Sequence, residues 1–250
     1  MLLDKLAVVT TGGTALGYAV GQRLGQAGAH VVLADIDEAL CARAVADLQS
    51  AGLQVSFARL DARDPAQSQA LVKQLCEHNR TLDIWINNPP NVEAEPVESM
   101  ASEHWDVGLA RCLSSSFYCA QAAGRQMLLQ QHGVIINIAS VQAYFATEGG
   151  SVASVANAGL VMLTQALAIE WARRGVRVVG LALGTIDQDE SSPENKADFT
   201  SAQRRRIPMG RPGSLTEVAE AVSYLASDAA AYVVGETMRV DGGWAAYQLF

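Results

Sequence analysis

Along this chain, apolar runs of four to six residues alternate with longer stretches whose apolar positions recur every three or four residues. The short runs lie at 6–10, 30–34, 55–60, 84–87, 134–138, 177–182 and 237–240. Several are unbroken Val/Ile/Leu, the pattern of strands covered on both faces. The longer stretches, at 16–27, 36–51, 65–79, 102–130, 151–173 and 215–227, carry helical periodicity. Strands and helices in strict alternation predict an α/β protein: a doubly wound parallel sheet of about seven strands, helices on both faces, right-handed crossovers. No linker divides the chain, so 1–250 reads as one domain. One polar segment, 185–206, breaks the rhythm and ends in Arg204-Arg205-Arg206; it reads as a mobile loop after a strand.

Composition narrows the classes. With 250 residues, 50% of them hydrophobic, the chain can bury one large core. A net charge of -8 and a pI near 5.0 argue against nucleic acid or an anionic membrane surface as partner. No uninterrupted run of about 18 apolar residues predicts a membrane span. The first residues carry Asp4 and run straight into a strand, unlike a signal peptide. Cys41, Cys76, Cys112 and Cys119 show no Cys-x-x-Cys spacing and read as reduced thiols of a cytoplasmic protein. His30, His78, His104 and His132 fall in different elements, so no metal site is expected.

The candidate chemistry lies at the ends of the strands. The first strand runs into Thr10-Thr11-Gly12-Gly13-Thr14-Ala15-Leu16-Gly17, and Asp35 closes the second. Asp61 follows the third strand and Asn87-Asn88-Pro89-Pro90 the fourth. Ser140 ends the fifth, ahead of a helix that carries Ala153 and, four residues on, Asn157. Together these motifs resemble the short-chain dehydrogenase/reductase family, over essentially the whole chain from Leu6 to about Trp244. The resemblance implies a Rossmann-like fold that binds NAD(P). It also locates departures. Thr11 and Ala15 stand at two of the three glycine positions of the phosphate-binding turn, two prolines replace Ala-Gly after Asn88, and Leu183-Gly184 stands for a Pro-Gly. Gly12, Gly17, Asp35, Asp61 and Asn87 remain as vestigial cofactor positions. Asp35 has two readings, a ribose ligand or a cap of the following helix. No cofactor is expected in this chain.

The departures at the catalytic positions go further. The family's serine is Ser140. Its tyrosine position holds Ala153, its lysine position Asn157, and its helix asparagine position Cys112. Alanine has nothing to titrate and asparagine no charge with which to tune a neighbour. The only lysines are Lys5, Lys73 and Lys196, and none follows a tyrosine by four residues, so no shift of register restores the pair. Tyr144 is weighed as a substitute acid on the loop beside the substrate cleft, and Cys112 as a small buried filler. Ser140 reads as a leftover or a local cap.

The C-terminal segment from Arg206 to Trp244 matches the family closely, and 155–168 is apolar nearly all round. A helix of that kind must be covered on every side, which calls for a partner helix. The expectation is therefore a non-catalytic subunit beside a homologous, active NAD-dependent dehydrogenase, in a heterotetramer. The resemblance implies a β-hydroxyacyl CoA thioester as that partner's substrate, in aromatic hydrocarbon breakdown. The alternatives are an active oxidoreductase with rearranged groups, Ser140 and Tyr144, and a ligand-binding or regulatory module in which Arg204-Arg205-Arg206 meets an anion.

Overall fold

A computed structural model describes residues 1–77, 80–188 and 205–247. Its seven strands are β1 (Leu6–Thr10), β2 (His30–Asp35), β3 (Val55–Arg59), β4 (Ile84–Asn87), β5 (Gly133–Ser140), β6 (Val176–Leu183) and β7 (Thr237–Val240). All pair in parallel, in the order β3-β2-β1-β4-β5-β6-β7. The order reverses between β1 and β4, which opens a crevice at the carboxyl ends of those strands, the place where such sheets bind ligands.

Alternate side chains of each strand feed two cores. Ala7 and Val9 of β1 join Leu33, Ile86 and Ile136 on one face, beneath α1 (Ala15–Gln26), α2 (Glu38–Ser50) and α7 (Leu215–Ala226). Leu6 and Val8 join Val32, Trp85 and Ile135 on the other, beneath α3 (Pro65–Leu75), α5 (Ser115–Gln130) and α6 (Ser151–Trp171). The helix starts follow local chemistry. Thr14, Asp37 and Asp64 each accept a first-turn N–H, and Ser214 and Glu217 form a reciprocal capping box.

Three boundaries differ from the periodicity. The helix expected from 36 starts at Glu38, because Asp37 caps it. The one expected over 65–79 ends at Leu75, and 78–79 lie outside the described residues. The long helix expected over 102–130 is interrupted: α4 (Ser102–Leu109) passes through a π turn at Ala110–Ser114 into α5. Such bulges recur at functional sites, and this one carries Cys112. Most of the loop expected over 185–206, with Arg204 and Lys196, lies outside the described residues.

Beneath the crevice runs a buried polar chain. Trp85 Nε1 donates to Asn87 Oδ1 at 2.8 Å. Asn87 Nδ2 donates to Asn137 Oδ1 at 2.8 Å and to the Ser116 carbonyl at 3.1 Å. Asn137 Nδ2 donates to Thr164 Oγ1 at 2.9 Å. Four elements, β4, β5, α5 and α6, are thereby locked in register.

Within one chain, α6 buries only half of itself. Val152, Ala156, Leu160, Thr164, Leu167, Ala168 and Trp171 face inward, whereas Val155, Ala158, Met162, Ala166 and Ile169 face out at the same three-to-four-residue spacing. Met162 is 62% and Ile169 82% exposed. The segment 151–174 is long and apolar enough to cross a bilayer, at mean hydropathy 1.7, which the composition reading did not anticipate. It packs along β5 and β6 as a core helix does.

Candidate functional site

The turn between β1 and α1 carries Gly12 and Gly17 where close packing requires glycine, and Thr11 and Ala15 at the family's other two glycine positions. A Cβ on Gly12 would lie 2.7 Å from Leu33 Cβ, and one on Gly17 would lie 2.5 Å from the Thr11 carbonyl oxygen. Both positions are therefore required for β1, β2 and α1 to meet, with or without a cofactor. Thr11 instead sits at φ +51°, a region that β-branched residues rarely enter. Ala15 is exposed at the start of α1. Thr11→Gly is expected to raise stability by about 1 kcal/mol through relief of that backbone strain. Chemical denaturation checks it, and an unchanged or lower midpoint would refute the strain argument.

Asp35 is 8% exposed. Its Oδ2 accepts the Gly13 N–H and its Oδ1 the Asp37 N–H, both at 3.1 Å. It is thus not the helix cap, a role Asp37 fills through Leu40 N at 2.9 Å. Asp61 is clasped by Arg63, Nε at 2.9 Å and Nη2 at 2.8 Å; this pairing holds its carboxyl below the usual range. Asn87 belongs to the buried chain described above. Pro89 and Pro90 contribute no backbone N–H to the crevice floor.

Two cavities occupy the crevice. The first, about 290 Å³, lies among Ala34, Asp35, Leu60, Asp61, Arg63 and Arg111. The second, about 510 Å³, lies among Leu16, Cys112, Ser140, Gln142, Ala153, Asn157 and Trp244. Thr11, Pro89 and Pro90 line both, so the two cavities adjoin.

The second cavity brings together Ser140, Cys112, Ala153 and Asn157, as the motifs predict, but no charged side chain among the described residues lines it. The Asn157 side chain is spent on backbone: Oδ1 accepts the Ser140 N–H at 2.7 Å and Nδ2 donates to the Ala153 carbonyl at 2.8 Å. Ser140 Oγ accepts the Gln142 N–H at 3.2 Å, the local cap expected of it. Cys112 is buried, its Sγ donates to the Pro90 carbonyl at 3.1 Å, and desolvation pushes its thiol up to about 11. It therefore stays a thiol at neutral pH and stitches the π turn to the proline pair.

Tyr144 corrects an expectation. It is not among the residues lining the second cavity. It is 44% exposed, with the Arg239 guanidinium 5.5 Å from its ring centroid. A cation is thus nearby in space though not in sequence, yet burial outweighs it and pushes the hydroxyl up. Trp244, which sequence reasoning passed over as a site residue, reaches the cavity and packs on Phe145 at 5.3 Å. Arg111 was likewise missed; only the folded π turn turns it to the first cavity. Among the described residues no cluster of His, Cys, Asp or Glu could hold a metal ion.

This arrangement defines a Rossmann-type protein with its crevice at the β1/β4 switch point. Residues 13–245 match the family model described as enoyl-(acyl carrier protein) reductase, and the chain belongs to the short-chain dehydrogenase/reductases. It is 33% identical to the 3-oxoacyl-(acyl-carrier-protein) reductase of Escherichia coli, covering 96% of each chain. It is 31% identical to an uncharacterized oxidoreductase of Thermotoga maritima, over 97% of this chain and 96% of that one. A gluconate 5-dehydrogenase from Burkholderia cenocepacia, solved with NADP and tartrate, superposes with a TM-score of 0.90 at 30% identity, covering 98% of this chain and 97% of the other.

Proposed function

We propose that this chain is a non-catalytic member of an oxidoreductase family, a subunit that completes or stabilises an active NAD-dependent relative. The observation that carries this reading is the state of Asn157. It stands at the family's lysine position with both ends of its side chain bonded to backbone, one turn from an alanine at the tyrosine position. The cavity holds no tyrosine and no cation among the described residues, so it lacks the acid and the tuning charge with which the family moves a proton to a carbonyl oxygen. Loss of a general acid alone typically costs about a hundredfold to ten-thousandfold. A dinucleotide also finds fewer of the family's features here, because Thr11 and Ala15 stand at two glycine positions and Pro89 and Pro90 supply no N–H to a pyrophosphate. The outward apolar stripe of α6, with a groove of about 500 Å³ beside Leu113, Phe117 and Met162, supports a homologous helix as its cover. The E. coli relative's name keeps a β-oxoacyl or β-hydroxyacyl thioester as the class of substrate for the partner.

A second reading, an active oxidoreductase with rearranged groups, is favoured by the relatives, several of which are named for oxidoreductase activities. It would place the proton on Tyr144, with Ser140 as its helper. The two readings part on one experiment. Purified alone, the chain is expected to show no NADH- or NADPH-dependent reduction of a 3-oxoacyl thioester. If turnover is found and Tyr144→Phe abolishes it, the second reading replaces the first.

A further inference from the structure

We infer that a cavity at the edge of the sheet opposite the crevice binds a small carboxylate with a short apolar body. This goes beyond the non-catalytic reading and does not depend on it. The cavity, about 380 Å³, lies where β1, β4, β5 and β6 begin, beside the end of α7. That volume is at the small end of ligand cavities. Arg177 of β6 pairs with Val134 of β5, and Val134 with Ile84 of β4. Residues level with one another on adjacent strands share a face of the sheet. One cation and two apolar side chains therefore stand in a row along the cavity, and Leu2, Ala226 and Val234 extend its apolar lining.

The state of Arg177 sets the chemistry of the ligand. Its side chain is partly buried, and Nη2 donates to the Leu225 carbonyl at 2.9 Å and the Ser227 carbonyl at 3.3 Å, which ties down the end of α7. Nη1 is buried with no acceptor among the described residues. Burial pushes the pKa of this guanidinium down, against the pull of Asp228, as befits a cation short of counter-charge. A buried charged donor without an acceptor is costly. A carboxylate presents the planar pair of acceptors that a guanidinium fork takes best.

The acids around the cavity do not fill that need. Asp83, 7% exposed, is already engaged: Oδ1 accepts from Lys5 Nζ at 3.0 Å, with His132 Nε2 at 3.4 Å, and Oδ2 accepts the Leu6 N–H at 2.9 Å. Asp228 is exposed and makes no ion pair with Arg177. Lys5, with its side chain 45% exposed, adds a second cation to the same lining.

Calorimetric titration of the full chain with hexanoate at constant ionic strength tests the inference, with hexan-1-ol and hexylamine as matched probes that lack the anion. Hexanoate is expected to saturate one site and the other two to show no saturation. Arg177→Gln should weaken hexanoate about tenfold or more, and Asp228→Asn should tighten it severalfold by removing a like charge. Because Arg177 also anchors α7, Ala231→Phe serves as a second variant. It adds bulk to the cavity lining and leaves every charge in place, so binding should be lost while helical circular dichroism is unchanged. Trp244→Ala, in the second cavity of the crevice, should bind hexanoate as the parent does. No saturation by hexanoate, equal binding of hexan-1-ol, or binding that survives Ala231→Phe or is lost in Trp244→Ala would each overturn the inference. NADH-dependent turnover would sink the non-catalytic reading and leave this site standing.

Discussion

Met162→Glu is expected to release the chain from the assembly proposed above, shifting its native mass to that of a monomer while its helical circular dichroism stays unchanged. Met162 lies at the middle of the outward stripe of α6, 62% exposed, with Val155 and Ile169 one heptad away on either side. Exposed in a monomer, a glutamate there costs little, because it meets water and breaks no contact of either core. Covered by a partner helix, the same carboxylate would be buried against Phe117, Leu113 and their counterparts with no cation to pair with. An unpaired buried charge costs several kcal/mol, about a thousandfold or more in dissociation constant. A variant that retains the native mass of the parent would show that α6 is not the covered face. Tyr224→Glu, on the exposed side of α7, serves as a control for a partner seated there.

Asn87→Ala is expected to destabilise the chain by about 4 kcal/mol, and to lower its thermal midpoint by on the order of 10 °C. The magnitude follows from what is left behind. Trp85 Nε1, fully buried, loses its acceptor, and Asn137 Oδ1 and the Ser116 carbonyl each lose a donor. Buried groups stripped of partners cost about 1–3 kcal/mol apiece, and Trp85, Asn137 and Ser116 are all buried. The result bears on function as well as stability. Asn87 matches a family motif beside the cofactor, yet its side chain is used wholly within the fold. A loss of less than about 1 kcal/mol would mean that the buried chain does not hold β4, β5, α5 and α6 together.

Much of this was legible in the residues. The short apolar runs located all seven strands; the signal was cleanest in β1, β4, β5 and β6, buried almost throughout, and weakest in the edge strands β3 and β7, which carry polar and partly exposed positions. The absence of a Tyr-x-x-x-Lys pair was legible too, since the chain holds only three lysines and none follows a tyrosine by four residues. What escaped was whatever depends on neighbours far along the chain. Nothing in Ala110-Arg111-Cys112-Leu113-Ser114 signals a π turn, because the extra residue is accommodated by packing of α4 and α5 against α6 and not by local propensity. Asp35 and Asp37 are two acids two residues apart, and only the fold shows that the second caps the helix while the first reaches across to Gly13. Tyr144 looked like a cleft residue by position, but Arg239, nearly a hundred residues later, sits over its ring. The apolar girth of α6 predicted burial correctly on one face; the other face is an unpaired stripe within a single chain.

The pattern of retained and lost residues is the core of the account. Gly12, Gly17 and Asn87 persist where the fold itself would fail without them. Ala15, Pro89, Ala153 and Asn157 stand where the proposed non-catalytic role would not call for the family's residue, whereas Thr11 strains the backbone as well. The measurement that tests this most directly is the rate of NADPH and NADH oxidation by micromolar purified chain with a 3-oxoacyl thioester, run beside the E. coli relative. The account predicts a rate at least about ten-thousandfold below that relative, unchanged by Tyr144→Phe. A rate within about a hundredfold of it, lost in that variant, would contradict the account and return the chemistry to this chain.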